Sequence, residues 1–166
     1  MSYLKIKLGG IELDLYAGVT QQAMSTEAGR SDVRLSGGAL IRMEHWTRKN
    51  VTITGTGWVS LGLSELDYSK PLLLELTQPR VMTSDSNVIP ISGMVRTDSK
   101  PYGLAKVGAR WVNVPASYAD GVITLDEVQG ATAYRAHYQP MMYVLCDEPP
   151  ETVDDSFSWT ITAREV

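Results

Sequence analysis

The chain has 166 residues, 43 % apolar and 20 % charged, with a net charge of −4, which is enough for one sizeable core with or without a small lobe. No run approaches the roughly 18 apolar residues that cross a bilayer, and the first residues read as a strand rather than a signal peptide, so cytosolic synthesis is expected. Lys and Arg are scattered, against specific nucleic-acid or membrane binding, and the lone Cys146 leaves no internal disulfide and no zinc-type cluster.

Residues 3–8 and 11–16 alternate apolar and polar side chains around Gly9-Gly10, a loop suited to the positive φ of a tight hairpin. That register sets Lys7 opposite Glu12 and Lys5 opposite Asp14, with Leu8 opposite Ile11, Ile6 opposite Leu13 and Leu4 opposite Leu15. Each pair contributes roughly 0.2–1 kcal/mol, so both faces favour one register. Residues 17–30 are polar and lack periodicity, and read as a long loop. Residues 31–36 and 40–46 form a second hairpin around a three-residue Gly37-Gly38-Ala39 loop. This places Val33, Leu35, Ile41 and Met43 on one face and Arg34, Arg42 and Glu44 on the other.

Residues 51–57 make a β-branched strand, and 61–69 hold the best short helical turn, with Leu63 and Leu66 on one side. Strands follow over 72–77, 88–95, 109–114, 122–125, 133–138 and 141–146. The last, 156–163, alternates Phe157, Trp159, Ile161 and Ala163 with Ser and Thr, the pattern of a sheet with one wet face. Frequent Gly, Pro and Asp turns and almost no helix give an all-β fold, an antiparallel β-sandwich or barrel. Residues 1–95 with 133–166 form its main domain, and 96–132 a small inserted β lobe.

No motif carries catalysis. His45 and His137 have no His, Cys or carboxylate at ligand spacing, and both are read as structural or surface residues. Gly55-Thr56-Gly57 lacks the third glycine and the helix of a dinucleotide fingerprint, and reads as a turn or bulge. Asp147, Glu148, Glu151, Asp154 and Asp155 lack the spacing of a calcium loop and are interrupted by prolines, so they read as a solvated loop. Asn50-Val51-Thr52 matches a glycosylation sequon but reads as the start of a strand. No catalytic residue, metal ligand or cofactor is therefore assigned. Four Trp and eight Tyr suit interfaces as well as β-cores; Trp159 is assigned to the core, and Tyr102, Trp111 and Tyr118 are a candidate glycan platform on the lobe.

Two stretches resemble a known family. One runs through Arg34-Leu35-Ser36-Gly37-Gly38, His45-Trp46, Ile53-Thr54-Gly55-Thr56-Gly57-Trp58, Gly62-Leu63, Leu66-Asp67-Tyr68-Ser69 and Pro71-Leu72 to Gln78-Pro79. The other is Tyr138-Gln139-Pro140 with Ser158-Trp159-Thr160 and Glu165. Together they resemble the distal tail proteins at the tail tip of long, non-contractile-tailed bacteriophages, over about half of the chain and outside the lobe. The resemblance implies a tail-tube-like sandwich or barrel, a non-enzymatic virion protein assembled in the host cytoplasm. It also implies a homo-oligomeric, typically sixfold, ring that joins tail tube, tape measure and baseplate hub and lets DNA pass.

Mild acidity suits a bore that DNA crosses without sticking, as it suits plain solubility. For contacts between subunits the candidates are the 17–30 segment, with Gln21, Gln22, Met24 and Arg30, and the outer edge of the first hairpin. The rival readings are a carbohydrate- or receptor-binding baseplate module and the major tail-tube protein.

Overall fold

The computed structural model describes residues 4–13, 18 and 20–166. In chain order the strands are β1 Lys7–Leu8, β2 Ile11–Glu12, β3 Gln21–Arg34, β4 Leu40–Gly57, β5 Leu72–Glu75, β6 Arg80–Ser84, β7 Val88–Pro90 and β8 Met94–Val95. They continue with β9 Tyr102–Val107, β10 Arg110–Val114, β11 Ala116–Ala119, β12 Val122–Leu125, β13 Ala131–Tyr138, β14 Pro140–Cys146, β15 Glu151–Val153 and β16 Phe157–Glu165. No helix occurs among the described residues, the strand pairs among them are antiparallel, and the sheets pack as a sandwich without closing into a barrel. The 61–69 segment is a pair of turns. Leu66 N–H donates to Leu63 O at 3.2 Å and Tyr68 Oη donates to the same carbonyl at 2.7 Å, so that carbonyl ends a turn instead of starting a helix.

The chain divides into two compact units, 1–12 with 73–142 and 13–72 with 143–166. These boundaries differ from those of the expected 96–132 lobe. Strands inside that stretch pair with strands outside it: β9 with β13, and β12 with β7.

In the first unit, a four-stranded sheet of order β10-β9-β13-β6 packs on a three-stranded sheet of order β11-β12-β7. Ala105, Ala136, Tyr134 and Tyr138 from one meet Ile89, Ile123 and Leu125 from the other. Gly103 makes this layer close. A Cβ there would come within 2.1 Å of Leu125 Cδ2. The same unit holds the first hairpin, which pairs Lys7 with Glu12 and Leu8 with Ile11 as expected and continues across Leu8 and Leu74 onto β5. Lys5 reaches Glu12 at 3.1 Å. The pairings expected for Asp14 and Leu15 lie outside the described residues.

Beside the hairpin, Arg96 is buried. Its Nη1 donates to Lys5 O and Leu76 O at 2.8 and 3.1 Å, while Nε and Nη2 grip Asp98 bidentately at 2.8 and 2.7 Å. Lys7 completes the cluster, 2.9 Å from Asp98 and 3.8 Å from Glu75.

The second unit is built on β16, flanked by β4 on one side and by β15 and the end of β14 on the other, with β3 beyond β4. The alternation expected of β16 is observed. Trp159, Ile161 and Ala163 are buried with Val51, Ile53 and Val144, and Ser158 and Thr162 face outward. Gly55-Thr56-Gly57 is neither turn nor bulge but the regular end of β4, paired through Gly57–Phe157. The Trp159 indole lies where a Gly55 side chain would stand, 2.3 Å from a Cβ built there. Glycine is used for contact rather than for a bend.

Candidate assembly interface

The segment 17–30 corrects the sequence reading most. Its part from Gln21 onward is strand, and β3 pairs with β4 from Gln21–Thr54 to Arg34–Leu40 with a single register shift between Gly29 and Arg30. Polar, non-periodic residues suggested a loop, but one long partner strand overrides weak local preference. Fourteen and eighteen residues make β3 and β4 far longer than the usual 3–10. β16 accompanies β4 only as far as Arg164–Asn50, so residues 26–34 and 40–49 continue as a two-stranded ribbon about 30 Å long.

One residue shapes that ribbon. Gly29 pairs with Trp46 and Arg30 with Glu44, so His45 is a one-residue bulge in β4, the structural position that its lack of chemical partners suggested. Trp46 lies against Gly29, where a Cβ would fall 2.3 Å from the indole Nε1. Counting along β3, Gly29, Ser31 and Val33 share one face, continued one residue past its end by Leu35, and the register adds Trp46, Met43 and Ile41 to it. Val33, Leu35, Ile41, Met43 and Trp46 are each close to half exposed. The opposite face is an ion-pair ladder: Arg42 grips Asp32 through two bonds of 2.8 Å, Arg30 Nε reaches Glu44 at 3.1 Å, and Thr47 Oγ1 also bonds Glu44. Hydrogen bonding from Arg42 holds the Asp32 carboxyl below its ordinary range, and Thr47, then Arg30, do the same for Glu44. The expected face assignment holds. The loop has the expected three residues but is centred on Ser36-Gly37-Gly38, with Leu35 N–H donating to Ala39 O at 2.9 Å.

β3 ends its sheet among the described residues, and it carries neither Pro nor Lys to discourage pairing. A two-stranded ribbon with an uncovered apolar face is marginal alone in water. Edge and face together form an exposed surface among the described residues.

The expected contact residues spread along β3. Gln21, opposite Thr54, lines a cleft of about 570 Å³ with Thr56, Thr152, Ser158 and Thr160; its walls carry hydroxyl, amide and indole groups and no titratable side chain. Gln22 and Met24 stand opposite Ile53 and Val51 of the core, and Arg30 belongs to the ion-pair ladder. The apolar stripe and the ladder were not assigned a role from the sequence, although Arg30-x-Asp32-x-Arg34 facing Arg42-x-Glu44 is their signal.

The three aromatics of the expected glycan platform do not form one surface. Tyr102 and Trp111 lie on the outer face of β9 and β10, where Tyr102 stacks on His137 at 4.6 Å and the Arg135 guanidinium covers the Trp111 ring at 4.2 Å. Tyr118 is on β11 opposite the buried Ile123, in a separate groove of about 470 Å³ with Val95, Thr97 and Pro101. Burial, then Arg135, holds the His137 imidazole below its usual pKa, and its Nε2 is buried without a partner, as befits a neutral packing residue. Of the five acids, Glu151 is in β15 and its carboxylate accepts the Leu61 N–H at 3.1 Å. Asn50 is inside β4 and donates to Glu27 at 3.0 Å. No group of three or more His, Cys, Asp or Glu among the described residues is arranged to hold a metal ion.

Neither a family model, nor a curated protein, nor a solved structure matches this chain.

Proposed function

We propose that this protein is a non-enzymatic structural component of a bacteriophage tail tip. It self-associates into a closed ring, six copies on the family resemblance, that joins tail tube to baseplate hub and leaves a bore for DNA. The observation that carries the reading is the β3–β4 ribbon, whose free edge and bare apolar face need a neighbour. Mass determination across a concentration series, with negative-stain images, tests it. Closed particles of one size, six times the 18.2 kDa of the chain, are expected. Stacked rings or tubes would identify a tube protein instead, and a monomer at every concentration would overturn self-association. The rival baseplate glycan module depends on Trp111, one face of which is already occupied by Arg135.

A further inference from the structure

We infer that the outer face of the β10-β9-β13-β6 sheet binds single-stranded nucleic acid without sequence preference, holding phosphates on Arg135 and Lys106 and a base against Tyr102. This goes beyond the ring reading above and does not depend on it. The register fixes which side chains share the face. Ala105, Ala136, Tyr134 and Tyr138 point into the core of the first unit, so their neighbours along β9 and β13 point outward. Tyr102 stands opposite His137, Leu104 opposite Arg135 and Lys106 opposite Ala133, with Trp111 of β10 on the other side of Lys106. None of these outward residues is buried, and Tyr102 is 46 % exposed, so the face is open.

One feature of the face is an arginine that is held in place without being neutralised. Its guanidinium carbon lies 4.2 Å from the centre of the Trp111 ring, and its Nε donates to Thr83 Oγ1 at 3.2 Å. No carboxylate pairs with Arg135 or with Lys106 among the described residues. The outward positions of the four paired strands include no Asp or Glu, in a chain whose net charge is −4. A fixed guanidinium with its terminal nitrogens free is suited to grip a phosphate bidentately. The other feature is a stack of rings. Tyr102 and His137 occupy the two central strands, with centroids 4.6 Å apart and planes within 10° of parallel. A planar base continues such a stack and a puckered sugar ring does not, which favours a nucleic acid over an acidic glycan. Open four-stranded sheets with rings on their middle strands are platforms on which single-stranded bases stack.

The spacing also fits. Lys106 and Arg135 are diagonal neighbours on adjacent strands, roughly 8 Å apart. From Lys106 to Tyr102 is four residues of β9, about 13 Å, which takes about two or three nucleotides. Far apart in sequence, the two cations meet only because β9 and β13 pair.

The test is fluorescence anisotropy of labelled oligo-dT and oligo-dA titrated with the full chain at low salt. Both should bind with similar affinity, since every base has a flat face. The logarithm of the binding constant should fall against that of salt concentration with a slope of about −1.4, about −0.7 for each of two phosphates. Arg135→Gln should reduce the slope by about 0.7. Tyr102→Ala should weaken binding about fivefold or more at an unchanged slope, whereas Tyr102→Phe should bind like the wild type. Tyr143→Ala, at an exposed tyrosine of β14, should leave binding unchanged, and thermal melts verify that each variant is folded. The inference is overturned by the absence of saturable binding, by a duplex of the two strands binding as tightly as either alone, or by Tyr102→Ala binding like Tyr102→Phe. Displacement of the oligonucleotide by a lower concentration of oligogalacturonate would also overturn it and make the face a site for acidic glycans.

Discussion

Gly55 shows how much one absent side chain does here. The Trp159 indole fills the space its Cβ would take, and Trp159 is 2 % exposed, so the ring has nowhere to retreat. Gly55→Val should therefore destabilise the chain by about 1–3 kcal/mol through overpacking. Gly37→Ala, at a position with nothing within 4 Å, should leave the denaturation midpoint within error. Chemical denaturation of the two variants separates these outcomes. Asp98 makes a second prediction at this scale. The Arg96 guanidinium beside it, and then Lys7, hold its carboxyl far below the ordinary carboxylate range against the opposing effect of burial. A depressed pKa in the fold means that Asp98 stabilises fully above its unfolded value of about 4 and that this contribution drains away as pH falls below it. Asp98→Asn should lower the melting temperature at pH 7 and flatten the acid limb between about pH 4 and 2, as thermal melts across that range would read.

At the scale of elements, the ribbon and the sheet it extends from differ in what holds them. Over residues 51–54, β4 has β3 on one side and β16 on the other; over 40–49 it has β3 alone. The ribbon keeps its backbone bonds and its Asp32–Arg42 pair, but its side chains are largely exposed on both faces, and exposed ion pairs contribute little. Amide exchange of the monomeric chain should thus be fast over residues 31–43 and slow over 51–54, and the ribbon amides should slow in the assembly proposed above. Protection of 31–43 equal to that of 51–54 in a verified monomer would mean that the ribbon needs no neighbour.

For the molecule as a whole, the path of the chain limits what can be cut away. It passes between the two compact units after residues 12, 72 and 142, so the first unit is not contiguous in sequence. A fragment of residues 73–142 lacks β1, which pairs Leu8 with Leu74, and lacks the Lys5 carbonyl that Arg96 bonds inside the fold. That fragment should be unfolded, or melt far below the intact chain, and residues 1–12 added in trans as a peptide should bind and raise its melting temperature. Circular dichroism melts with and without the peptide make the comparison.

Short-range pattern determined much of this protein. Gly9-Gly10 set the register of the first hairpin, alternation set the buried face of β16, and the opposite faces of the Val33 and Arg34 stripes followed from turn length and a period of two. These are legible in sequence because each depends only on neighbours a few residues away or on one tight turn. The tertiary structure decided the rest. Residues 21–30 became strand because β4 offered a partner along its whole length, Gly55 became a packing site because Trp159 lies beside it from a hundred residues away, and Tyr118 parted from Tyr102 and Trp111 because they joined different sheets. Whether the apolar stripe of Val33, Ile41 and Met43 became core or surface was likewise not in the alternation, which reads the same in both cases. It depended on where β16 stops, at Asn50, and that end leaves the stripe bare.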